Sequence, residues 1–182
     1  MHVRTPPRRF SGAQKWLHWT MAALIVVMIV VGVTMMRLGE GRLKDVLFEL
    51  HKSTGLLVLT LALVRAGIRL RRGAPPLERG IPAWQRRAAY ASHGALYALI
   101  VLVPIAGWIA TSSCCPPVNV FWSVPVTLPV PGDEGFWKRA FPIHFTLAFT
   151  LGAVAAIHIA GALQHHFIRR DRTLLRMLPE RK

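Results

Sequence analysis

Four apolar runs, each about 20 residues long, constrain this chain more than any other feature: that is the length needed to cross ~30 Å of hydrocarbon as a helix. They extend from about Trp16 to Met36, Phe48 to Ile68, Tyr90 to Ser112 and Ile143 to Phe167. Strand-like alternation is absent, and in lipid every backbone polar group must be satisfied internally, so the runs are read as helices. The expected fold is all-α: an integral membrane four-helix bundle, with residues 1–182 forming a single transmembrane domain. A hydrophobic fraction of 53%, only 17% charged residues and a mean hydropathy of +0.39 suit short loops between buried spans better than a soluble globule. The N-terminus has basic residues before an apolar run, like a signal peptide, but no small-residue cleavage pattern follows, so a retained span is expected.

The formal charge of +15 raises nucleic-acid binding. The basic residues, however, lie between the apolar runs, in separated patches, which fits positive-inside topology and argues against that partner. The N-terminal tail, the connection between the second and third spans, and the C-terminal tail together hold 17 Lys and Arg; the other two connections hold six. This bias predicts both termini in the cytoplasm and, in a bacterial inner membrane, periplasmic outer loops. The inner connection is placed to meet anionic lipid.

Of the two outer loops, residues 38–47 form a short polar one. The longer, residues 113–141, is rich in proline (Pro116, Pro117, Pro125, Pro129, Pro131) and aromatic residues (Phe121, Trp122, Phe136, Trp137). It is expected to be an irregular lid, partly at the membrane interface, where aromatic rings are favoured. Adjacent Cys114 and Cys115 imply no disulfide framework, since neighbouring cysteines bridge only with strain. Pro104 should kink the third span. No C-x-x-C-H occurs, so covalent c-type haem is not expected.

The histidines sort by depth. His51 and His144 fall near the outer ends of the second and fourth spans. His18, His158 and His93 fall toward the inner ends of the first, fourth and third. His144 and His158 are 14 residues apart, which in an α-helix is about 1400° of turn and about 21 Å of rise, so both point to nearly the same side. Gly152, Ala153, Ala155 and Ala156 leave the surface between them smooth. Two imidazoles from different helices at one depth can bind a haem iron from opposite faces. That fills both axial positions, blocks O₂ binding and leaves one-electron transfer. A histidine in a span also serves as a polar helix contact or a proton relay, so a haem-free transporter or proton channel is the competing class.

His93 competes with His18 or His158 for the inner iron, or donates to a propionate or a quinone. Lys52 at the outer edge, and Arg65 and Arg69 at the inner edge, are placed either to pair with haem propionates or to snorkel to the interface. Gly32, Gly55 and Gly152 provide either haem clearance or ordinary small-residue packing. Trp16 and Trp19 flank His18 and either pack on a porphyrin or join the aromatic belt. His165 and His166 are expected to face solvent or headgroups, and His2 to lie in a disordered tail.

The segments LHW (17–19), LHKSTG (50–55), SHGALYALIVLVPIAGW (92–108) and HHF…DRTLLRMLP (165–179) resemble the bacterial cytochrome b561 family, which is similar in turn to the cytochrome b subunits of formate dehydrogenases and nickel–iron hydrogenases. The resemblance covers nearly the whole chain and implies a four-helix bundle with two haems b. It implies His18 with His158 for the inner haem and His51 with His144 for the outer, leaving His93 without an iron bond. Some members oxidise superoxide and reduce ubiquinone; others anchor a separate redox enzyme. The resemblance therefore implies superoxide or another small periplasmic electron donor and ubiquinone as acceptor, with a membrane anchor subunit as the alternative. The outer side's charges nearly cancel at +1, so any superoxide steering must be local.

Overall fold

A computed structural model describes residues 9–78 and 80–178. Four helices follow in order: α1 (Gly12–Arg37), α2 (Arg42–Arg72), α3 (Ala83–Cys114) and α4 (Glu134–Leu163). All four are long and apolar enough to cross a membrane. The calls on His2, Arg4, Arg8, Arg79, Arg181 and Lys182 lie outside the described residues.

Each helix is longer than its apolar run, because local caps rather than hydropathy set its ends. Ser11 and Gln14 close a capping box on α1: the Gln14 N–H donates to Ser11 Oγ and the Ser11 N–H to Gln14 Oε1. Gly73, at φ 69°, ends α2, its N–H donating to the Arg69 carbonyl. Asp133 accepts the Phe136 N–H at 2.7 Å and starts α4 nine residues before Pro142. α3 continues through Pro104, and α4 through Pro142, as α-helix.

α3 packs most extensively on α4, α1 on α2, and α2 on α3. Met21, Ala62, Leu99, Ile100 and Leu151 form the buried centre of the bundle. The outward faces carry exposed apolar side chains such as Phe149 and Ile157, as a bilayer requires and water would not. The start of α1, the α2–α3 connection and the tail after α4 meet at one end, here the tail end: Gln14 Nε2 donates to the Gly73 carbonyl, Trp19 Nε1 to the Met177 carbonyl, and Arg176 to the Pro76 carbonyl.

The long second loop differs from the expected irregular lid over residues 113–141. Residues 134–141 belong to α4, and the middle folds into a hairpin, β1 (Val118–Val120) and β2 (Val124–Val126), with Asn119 opposite Pro125. Proline is tolerated on an edge strand, and both strands of a two-stranded ribbon are edges. Phe121 and Trp122 make the turn at φ 46° and 60°, a left-handed pair that a tight hairpin needs and that bulky residues rarely adopt. The buried Ser53 hydroxyl on α2 accepts the Phe121 N–H at 2.9 Å and donates to the Asn119 carbonyl, which ties the hairpin to the helix that carries His51. The cysteine expectation is also corrected: Cys114 and Cys115 are disulfide-bonded. The helix ends between them, with Cys115 already extended.

Candidate functional site

The bundle brings the depth-sorted histidines together in space. At the hairpin end, His51 of α2 faces His144 of α4, ring centres 6.3 Å apart and planes nearly perpendicular at 88°. At the tail end, His18 of α1 faces His158 of α4, also at 6.3 Å, with the planes at 56°. An iron held by two imidazoles has bonds of about 2 Å, with ring centres about 1.1 Å beyond each nitrogen, so it needs them about 6.2 Å apart. Both separations match that span. His93 of α3 lies 5.2 Å from His158, about 1 Å short of it.

Other features of the outer site fit the same group. His144 Nδ1 lies 2.9 Å from the Val103 carbonyl, an arrangement that fixes the ring and turns its other nitrogen away, as metal-binding imidazoles require. Gly107 lies against that ring: an added Cβ would fall 2.9 Å from His144 Cε1 and Nδ1. Gly32 clears His51 in the same way, with a would-be Cβ 3.2 Å from Cε1. A 460 Å³ cavity lies around His51 and His144, with Arg37, Lys52 and Trp108 among its otherwise largely apolar walls. That volume is within the range of cofactor pockets. The donor set, the clearances and the cavity therefore fit a haem.

Gly55 and Gly152 are less constrained. Their would-be Cβ atoms meet only the end of Met28 at 3.8 Å and the end of Ile29 at 3.7 Å, which is ordinary helix packing. The Lys52 side chain is buried and pairs with Glu49 at 2.7 Å, over the Phe48 ring, and the residue is among those lining the outer cavity. Arg65 donates to the Gln14 carbonyl at 3.0 Å and lies 5.8 Å from the centre of the Tyr97 ring. Arg69 and Arg65 are both close enough to act electrostatically on His93. Trp19 packs edge-on against His18 at 5.1 Å, whereas Trp16 is 63% exposed and belongs to the outer surface of the bundle.

His165 departs from the expectation of a headgroup-facing residue. A single π-helical turn, Gln164–Ile168, follows α4 and brings His165 Nδ1 to 2.5 Å from Asp171 Oδ2. Burial pushes the Asp171 carboxyl up, but hydrogen bonds from His165 and from Thr173, side chain and backbone, outweigh it and hold it below the usual carboxylate range. His166 packs edge-on against Phe167.

Sequence reasoning missed Gly107, Trp108 and Arg37 as parts of the outer site. Helical spacing could have found the first: Gly107 and Pro104 are three residues apart on α3 and share the face that meets α4. The Val103 carbonyl carried no signal, because a main-chain acceptor is the same at every residue.

The family model for prokaryotic cytochrome b561 matches residues 9–180. The chain is 32% identical to cytochrome b561 homolog 2 of Escherichia coli, over 98% of this chain and 95% of that protein. It is 32% identical to cytochrome b562 of Cereibacter sphaeroides, over 94% and 96%. It is 25% identical to a probable superoxide oxidase of Yersinia pestis, over 96% and 98%.

Proposed function

This chain belongs to the prokaryotic cytochrome b561 family, membrane haem b electron-transfer proteins of the bacterial inner membrane, and we propose that it is a two-haem member that oxidises superoxide and reduces ubiquinone. The observation that carries the two-haem reading is the equal 6.3 Å separation of two imidazole pairs, one at each end of the bundle and both built on α4. In this reading His51 and His144 hold the haem at the hairpin end, and His18 and His158 the one at the tail end. A haem b held by two imidazoles would supply one-electron exchange.

The rest is done by the chain. The Val103 carbonyl holds the His144 ring in one orientation, and Gly32 and Gly107 let α1 and α3 approach the imidazoles. The hairpin covers the outer site, held to α2 by Ser53, and Val118 forms part of the cavity wall. The excess of Lys and Arg on the tail-end loops supports a cytoplasmic tail end and a periplasmic hairpin. Two superoxide ions then give one electron each at the hairpin end and leave as O₂, and one ubiquinone takes two electrons and two protons to become the quinol. The relative in Yersinia pestis named a probable superoxide oxidase supports this donor. Arg37 lines the outer cavity and supplies the local positive charge that a small anion needs, whereas Lys52, which also lines it, is paired with Glu49.

The test is the purified holoprotein alone, given superoxide and a soluble ubiquinone analogue. Quinol formation at one per two superoxide ions supports the reading. Haem reduction by superoxide at a negligible rate, with activity only once a separate dehydrogenase is added, would make the chain a membrane anchor subunit instead.

A further inference from the structure

Neither imidazole pair involves the Cys114–Cys115 disulfide. A cross-link stabilises a fold mainly by restricting the unfolded chain, and does so more the longer the loop it closes. This one joins neighbours in sequence, so it closes the shortest loop a chain allows and ties no distant segments together. Its position says more. Cys114 is the last residue of α3, and the Cys115 N–H donates to the Thr111 carbonyl at 3.1 Å. Ala110 and Thr111 before the pair, and the buried Val118 after it, line the outer cavity. Cys114 is exposed and Cys115 half-buried, which opens the pair to a reagent from outside. The ring that the two cysteines form contains their shared peptide bond, which is itself planar. It therefore restricts the rotations on both sides of that bond and fixes the direction in which the lid, residues 116–133, leaves α3. With the ring opened, Pro116 still keeps Cys115 extended, so the two sulfurs stay near each other and can close again. Farther along, the lid is held by hydrogen bonds from the Leu128 N–H to Ser112 Oγ and between Ser53 and the hairpin.

We propose that Cys114–Cys115 is a reversible thiol–disulfide exchange site for periplasmic thiols, and that its redox state sets how firmly the lid covers the outer cavity. The periplasmic setting rests on the topology given above; the exchange chemistry needs no haem. An incoming thiolate attacks the exposed Cys114 Sγ and the S–S bond breaks. A mixed disulfide forms on Cys114, and Cys115 leaves as a thiolate that takes up a proton. A second thiol, from the same molecule or another, attacks the mixed disulfide and frees Cys114 as a thiol. The pair has then gained two electrons and two protons, and the partner thiols have become a disulfide. An oxidising compartment returns the pair to the closed ring. In the open form the link between α3 and Val118 is looser, and so is that wall of the outer cavity.

The experiment equilibrates the purified holoprotein in buffers of reduced and oxidised glutathione. Samples are quenched in acid and alkylated, and the thiols per chain are counted by intact mass while haem content is followed by absorbance. Amide exchange is compared between the oxidised protein, the reduced protein and the double variant Cys114→Ser, Cys115→Ser. Expected are two thiols per chain in reduced glutathione with haem content unchanged, and their loss when oxidised glutathione is restored. Exchange in residues 118–128 should be faster in the reduced protein and in the double variant alike, with the buried centre of the bundle unmoved. A disulfide that survives excess reduced glutathione until the protein unfolds overturns the proposal. Equal exchange of the lid in the oxidised and reduced proteins overturns it as well. Should the double variant fail to assemble, oxidised against reduced wild type decides alone. Superoxide and quinone play no part in these readouts, so the result is independent of the function proposed above.

Discussion

The two ends of the bundle hold their imidazoles at the same separation but surround them differently. At the hairpin end there are two histidines, one tied to the Val103 carbonyl, and two glycines without which the rings would be displaced. At the tail end there are three histidines, with Arg65, Arg69 and Tyr97 nearby, and Gly67, Gly94 and Gly161 have open space where a Cβ would be added. The outer site is thus a tight cradle for one flat group. At the tail end His93 lies beside the His18–His158 pair, with Arg65 and Arg69 close by. The two imidazole pairs are equally spaced but unequally surrounded.

The largest effect that would break this comparison is loss of one site alone. His144→Ala should remove the outer haem and leave the inner, and His158→Ala the reverse, read from haem content and the reduced spectrum. If either variant kept both haems with unchanged spectra, the pairing would be wrong. Gly107→Ala should come next. Its Cβ would fall 2.9 Å from the His144 ring, and overpacking of this kind costs about 1–3 kcal/mol, so the outer haem should bind more weakly while the inner is unaffected. Gly152→Ala, whose Cβ meets only a flexible Ile29 end at 3.7 Å, is the control that should leave both haems in place.

A smaller effect is expected at the lid. Ser53→Ala deprives the Phe121 N–H and the Asn119 carbonyl of their partner at a cost of about 1 kcal/mol. Amide exchange should speed up in residues 118–126 and stay unchanged in the buried centre of the bundle; equal protection in both proteins would show that the hairpin is held by something else. The smallest effect is at His93. His93→Ala should keep both haems and shift only the inner potential. Loss of the inner haem would mean that His93, not His18, is the partner of His158, and the contrast between the two ends would have to be redrawn.

Much of the bundle was legible in the sequence because its causes are periodic. Hydropathy over about 20 residues marks a span whatever its neighbours, and the 14-residue spacing of His144 and His158 fixes their common face by helical geometry alone. Depth then paired His51 with His144, as the structure does in space. The depth sorting left His18 and His93 as rival partners for His158; their 6.3 Å and 5.2 Å separations depend on how α1 and α3 pack, which no spacing within one helix encodes. The ends of the helices were not legible, since Ser11, Gly73 and Asp133 act through single hydrogen bonds outside the apolar runs. Nor was the hairpin, whose turn places Phe121 and Trp122 in a conformation usually left to glycine or asparagine and is held by Ser53 from 68 residues away. The His165–Asp171 pair was hidden by the π-helical turn that brings its members together.

The central claim, that one helix carries half of two haem sites, is tested most directly by haem content with a potentiometric titration of the purified wild-type chain. The account predicts two haems b per chain, titrating as two one-electron steps with low-spin, bis-imidazole spectra. A single haem, or an assembled protein without reduced b-type absorption bands, would contradict it.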